Sequence, residues 1–224
     1  MKMKRSEKLG MFTGLVVGVL LLLISVFMIF QTACKVWGAE KPANATQQGI
    51  DVSSHQGKID WEQVKNSALA DYAIIRCGYG VNQTDKDDKY WDYNSSECER
   101  LGIPYGTYLY SGADTTAKAK SEAEHVVRLL QGKNLTYPIY YDMEADMLNQ
   151  LSSTQIGNIA KTFLNTMESY GYKNVAVYSN KYLFETKLTA SVFSDYPKWI
   201  AQHSNKCTYR GSYHMWQYST QGVI

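Results

Sequence analysis

Seven short runs rich in β-branched and aromatic residues recur along the chain, at 49–53, 72–77, 105–110, 138–144, 174–178, 198–201 and 213–218. Runs of this length and makeup are strand signals. Between the first five lie segments with helix start and stop residues. Asp60 is placed to cap a helix from Trp61 toward Leu69, and Asp114 one running to Leu130. Ser152 or Ser153 is placed to start a third that runs to Tyr170 and stops at Gly171. A fourth helix is expected over 89–101, ending at Gly102. Strand and helix alternating every ~30 residues imply right-handed β-α-β units around a parallel sheet, hence an α/β domain built as a barrel or an open doubly wound sheet. The last two runs follow each other without an obvious helix, so a regular eight-fold barrel is not expected.

Ahead of this domain, residues 9–30 carry no charge. As a helix they would span about 33 Å, enough to cross a bilayer. Lys2, Lys4, Arg5 and Lys8 stand before the stretch against Glu7 alone. That bias predicts a cytoplasmic tail at 1–8, a transmembrane signal anchor at 9–30 and everything later outside the cytoplasmic membrane. The apolar core exceeds the roughly 7–15 residues usual in a signal peptide, and no good small-x-small site follows it. A single-pass anchor is therefore preferred over secretion after cleavage. Residues 31–48 are small and polar and read as a linker, leaving 49–224 as the globular domain.

Formal charge is +2 for the whole chain. Residues 1–30 carry more than that, so the remainder is slightly acidic and offers no electrostatic case for nucleic-acid binding. Cys34, Cys77, Cys98 and Cys207 show no C-x-x-C spacing, which argues against structural zinc. For an exported domain the alternatives are a Cys77–Cys98 disulfide or buried free thiols. His55, His125, His203 and His214 fit no metal motif, and neither a Gly-x-Ser-x-Gly elbow nor a phosphate-binding glycine loop is present. No metal or other cofactor is expected.

Chemistry is concentrated in Pro138-Ile139-Tyr140-Tyr141-Asp142-Met143-Glu144. Its two carboxylates are spaced i, i+2, which on a strand puts both on one face. At the C-terminal end of a parallel strand that face meets the mouth where α/β barrels keep their sites. Two carboxylates brought together there should split their pKa values, leaving one protonated as a general acid. Asp51 has the same relative place on the first strand and brings a third carboxylate. Tyr79, Tyr108, Tyr110, Tyr178, Trp199, Trp216 and Tyr218 gather at strand ends. The chain has 18 Tyr and 5 Trp against 6 Phe, a bias toward rings with a polar edge that suits a groove stacking sugars.

The ordered motifs are Gly49-Ile50-Asp51-Val52-Ser53 with Gln56-Gly57 and Ile59-Asp60-Trp61, then Ile103-Pro104-Tyr105-Gly106-Thr107-Tyr108 and Tyr141-Asp142-Met143-Glu144. Val177-Tyr178-Ser179, Trp199-Ile200-Ala201-Gln202 and Trp216-Gln217-Tyr218 complete the set. Together they resemble the glycoside hydrolase family 25 lysozymes, the Chalaropsis-type N-acetylmuramidases, from Gly49 onward. The resemblance implies an irregular, flattened TIM-like (β/α) barrel with fewer helices than strands. It implies cleavage of the β-1,4 bond from N-acetylmuramic acid to N-acetylglucosamine, with peptidoglycan glycan strands as partner; separately, the chain is expected to be a monomer. Glu144 would be the general acid, Asp142 the nucleophile or the orienter of the 2-acetamido group, and Asp51 their support. Tyr108, Tyr178, Trp199, Gln202, Trp216 and Tyr79 would line the groove. Family members continue to a further strand bearing another active-site Asp, so on that pattern the 49–224 domain is expected to lack its last strand. A non-catalytic peptidoglycan-binding module and a chitinase-like hydrolase using acetamido assistance are the competing readings.

Overall fold

The structure, a computed structural model, describes residues 44–221. The expected tail at 1–8, the anchor at 9–30, most of the linker and Cys34 lie outside the described residues. Within them, no helix is long and apolar enough to cross a membrane.

Seven strands form one sheet in chain order: β1 (Gly49–Val52), β2 (Tyr72–Tyr79), β3 (Tyr105–Tyr110), β4 (Ile139–Asp142), β5 (Val175–Asn180), β6 (Lys198–Ala201) and β7 (Met215–Gln217). Every neighbouring pair is parallel. The sheet curls into a half-barrel, as parallel strands twisting in one sense do. Helices α1 (Trp61–Ser67), α2 (Trp91–Leu101), α3 (Thr116–Leu129), α4 (Ser153–Ser169), α5 (Lys181–Thr186) and α6 (Val192–Asp195) make the connections up to β6. No helix is found between β6 and β7, as the sequence suggested.

Local chemistry sets these boundaries. The Asp60 carboxylate accepts the Gln63 N–H to start α1, and Ser152 with Gln155 forms a reciprocal cap on α4. Gly102 takes the left-handed conformation, φ 63°, that ends α2. The expected cap of α3 is corrected: Thr115, not Asp114, accepts the Lys118 N–H. Asp114 is drawn off by the Lys118 ammonium, 2.7 Å away. Helices α5 and α6, of six and four residues, are too short to show a helical period and were not foreseen.

Strand alternation divides the apolar residues into two layers. Ile75, Leu109, Tyr141, Val177 and Ile200 point outward and pack against α3 and α4 through Ala123, Val126, Ile159, Phe163 and Met167. Tyr141 stacks on Phe163 with ring centroids 3.8 Å apart. Ile74, Tyr140, Ala176, Tyr178, Trp199 and Ala201 point inward as a second cluster, so the concave face is filled by rings. Cys77 and Cys98 are both buried free thiols, each pushed up to about 12 by burial. No disulfide joins them.

Candidate active site

The inward face changes character at the C-terminal ends of the strands. Asp51 continues the inward register of β1, and Asp142 that of β4, two residues beyond Tyr140. Asp142 is the last residue of its strand. Glu144 therefore stands just past the ladder rather than on it, half-buried where Asp142 is only 3% exposed. The three carboxylates sense one another. Burial raises Asp142 well above the usual carboxylate range, with Glu144 and Asp51 adding to the shift. Glu144 is raised by burial and further by Asp51, and Asp51 is raised by burial. Negative charge is thus disfavoured at all three positions in the absence of a partner. The Oδ1 of Asp142 is buried with no hydrogen-bond partner among the described residues, so a donor arriving from outside would be satisfied there.

Around the acids stand Tyr108 and Tyr178, whose hydroxyls are raised by burial and by Asp142. Tyr110 feels both Asp142 and Glu144. Trp199 lies beneath, 4.5 Å from the Tyr178 ring and 6.4 Å from that of Tyr108. The structure brings these rings together beside the carboxylates.

Three others are not. Tyr79 sits at the rim, 40% exposed, with the Lys86 ammonium 5.0 Å above its ring. Gln202 folds its amide onto its own loop, accepting the Thr208 N–H at 2.8 Å and donating to the Thr208 hydroxyl at 3.0 Å. Trp216 turns to the outer face of β7, and its indole N–H binds the Gln202 carbonyl at 2.9 Å. The inward residue of that strand is its neighbour Gln217.

Three polar residues at the site were not singled out from the sequence. Gln217 donates to Asp51 Oδ1 at 2.9 Å and accepts the Tyr178 hydroxyl at 2.9 Å. His203 Nε2 lies 3.0 Å from the same Gln217 oxygen and favours the charged forms of Asp51 and Glu144. Arg76 shares the inward register of Ile74 and favours ionised Asp142. Its guanidinium is held back by Asp88 at 2.8 Å and the Ser54 hydroxyl at 2.8 Å. A signal for Arg76 was present, since an arginine in an apolar strand run needs a buried partner. Among the described residues no cluster of side chains is arranged to hold a metal ion.

An autolytic lysozyme of Clostridium acetobutylicum is 29% identical over 178 residues, covering 79% of this chain and 52% of its own. Lysozyme M1 of Streptomyces globisporus is 27% identical, covering 79% and 63%. The chain thus spans between about half and two thirds of the length of the curated relatives it matches. Among solved structures, the modular autolysin LytC of Streptococcus pneumoniae in complex with a synthetic peptidoglycan ligand superposes with a TM-score of 0.70 at 33% identity. It covers 79% of this chain and 43% of that one. The sequence profile of the glycosyl hydrolases family 25 matches residues 50–224, and the chain belongs to that family.

Proposed function

We propose that this protein is a peptidoglycan hydrolase that cleaves the β-1,4 bond from N-acetylmuramic acid to N-acetylglucosamine. One observation carries the reading: three carboxylates, all biased toward protonation, converge at the C-terminal mouth of a parallel sheet walled by Tyr108 and Tyr178 over a floor that includes Trp199. Glu144, the more accessible of the pair with Asp142, is the general acid that protonates the departing O4. Asp142 is better suited to orient the substrate than to attack it. Its unpartnered Oδ1 would accept the acetamido N–H, turning the acetamido oxygen toward C1. That oxygen bonds to C1 as the C1–O4 bond breaks and Glu144 gives up its proton. Water then adds to C1, returns a proton to Glu144 and reopens the ring. Asp51 supplies negative charge beside the cationic centre.

The closed, flattened barrel and the localisation belong to the same proposal. The uncharged stretch at 9–30, with basic residues before it, supports a single-pass anchor that holds the domain outside the cytoplasmic membrane. Carbonate-resistant membrane association, with the domain digestible only from outside, is the expected result. Release in soluble form would overturn it.

Product analysis tests the activity. Purified wall digested with the chain should yield fragments carrying N-acetylmuramic acid at the new reducing end. N-acetylglucosamine there, or binding without any new reducing end, would refute the assignment.

A further inference from the structure

Sheet edges β1 and β7 are not joined by a strand ladder among the described residues, yet their side chains meet. The Gln217 amide nitrogen donates to Asp51 Oδ1 at 2.9 Å, and the Gln48 amide donates to the Tyr218 hydroxyl at 3.0 Å. The first contact fixes the Gln217 rotamer. With its –NH₂ on the ionised Asp51 carboxylate, which only accepts, its oxygen is the end that faces Tyr178 and His203. That oxygen receives the Tyr178 O–H at 2.9 Å and His203 Nε2 at 3.0 Å, so the imidazole carries its proton on Nε2. The amide has an acceptor for one N–H and two donors on its oxygen.

We propose that Gln217 is a positioning residue for Asp51: its amide joins Asp51, the Tyr178 hydroxyl and the His203 imidazole into one hydrogen-bonded unit that fixes the carboxylate's direction across the open side of the half-barrel. Two donors on an amide oxygen polarise its N–H bonds and strengthen the bond passed to Asp51. His203 therefore acts on Asp51 through Gln217 as well as through space. Other titratable groups surround Asp51: Tyr72 from β2, Tyr108 from β3, Asp142 and Glu144 at the end of β4 and Tyr178 from β5. Gln217 is neutral across the whole pH range, so it can hold an acid in place without competing for its proton.

The consequence for turnover rests on the muramidase reading; the arrangement itself can be tested without substrate. Carboxyl-carbon NMR titration of Asp51 in the full chain, in wild type and Gln217→Met, is the direct experiment. Loss of a hydrogen bond to the charged form should raise the Asp51 midpoint by about one to two pH units. His203→Phe should raise it by less, in the same direction. The acidic limb of kcat/KM on wall glycan should move upward with the midpoint, whereas a merely structural residue would lower thermal stability and leave both in place. An unmoved Asp51 midpoint in a folded Gln217→Met protein overturns the proposal. Should that variant not fold, Gln217→Asn, one methylene too short to reach, gives the same readout. If Asp51 responds as expected but the wild-type chain liberates no N-acetylmuramic acid ends, it is the functional reading that fails and not this one.

Discussion

The Trp199 indole and the Tyr140 ring meet edge to face, with centroids 5.0 Å apart, on the floor beneath the carboxylates. Tyr140 in turn stacks on His214 and shares a 2.8 Å hydrogen bond with its Nε2. Trp199 is only 4% exposed, so it supports the pocket more than it lines it. Trp199→Ala should cost roughly 3–5 kcal/mol of stability, the usual loss for a buried large aromatic. Urea unfolding would measure it, and a loss under 1 kcal/mol would mean the ring serves ligand alone.

Glu144→Gln removes the transferable proton while keeping size and polarity. Lytic activity should fall by a factor of about 10² to 10⁴. Because Glu144 lies beyond the end of β4 and is only half-buried, the fold should be kept, and removing its disfavoured charge should leave the melting temperature at pH 7 unchanged or slightly higher. Turbidity loss of wall suspensions and calorimetry together check this.

The contribution of the three site carboxyls to stability should fall as pH rises from acid toward neutral. Asp51, Asp142 and Glu144 all have folded values raised above their ordinary ones. Above about pH 4 these three groups together bind more protons in the folded state than in the unfolded chain, and their contribution to the slope of stability with pH is negative. The stability these acids contribute is full below their ordinary values and is lost as pH rises through the higher folded ones. Asp142→Asn should raise the melting temperature at pH 7 and flatten this dependence. Thermal scans across pH 4 to 8 that show no such flattening would contradict the account.

Behind β4, Glu122 is fully buried and receives the Tyr141 hydroxyl at 2.6 Å, the Ser111 hydroxyl at 2.9 Å and the Gly112 N–H at 2.7 Å. Tyr141→Phe deletes one donor to a buried acid and should cost about 1–3 kcal/mol. The Ser111 N–H also binds the Asp142 carbonyl at 2.9 Å, so activity should fall by more than the stability loss explains. Equilibrium unfolding and kcat measured on the same preparation test both halves.

Cys77 and Cys98 should resist alkylation in the native protein, since burial holds both thiols up to about 12. Peptide mapping after iodoacetamide should find label at Cys207, which is partly exposed, and at the other two only after unfolding. A Cys77–Cys98 crosslink on non-reducing mapping would refute the free-thiol assignment.

Much of the scaffold was legible because its signals are local. Asp60, Ser152 and Gly102 each act within one helical turn, and the strand runs announce themselves by composition. What stayed hidden depends on parity and depth. The run at 213–218 is polar and aromatic on both sides, so nothing in it tells whether Trp216 or Gln217 faces inward; the answer comes from Met215 packing against the inner rings. The carboxylate pair was visible as a spacing, but that the ladder ends at Asp142 and leaves Glu144 in a loop was not. His203 gave no signal at all, since its role comes from a loop that folds back on Gln217.

The order of the strands carries a consequence for time as well as space. Each strand pairs with the one made just before it, so the sheet can be laid down one unit at a time as the polypeptide emerges. The bond from Gln217 to Asp51 spans 166 residues and that from Gln48 to Tyr218 spans 170. No early fragment contains them. A nascent chain would thus own its three carboxylates and most of the surrounding walls before the link that ties Asp51 to the far edge of the sheet could form.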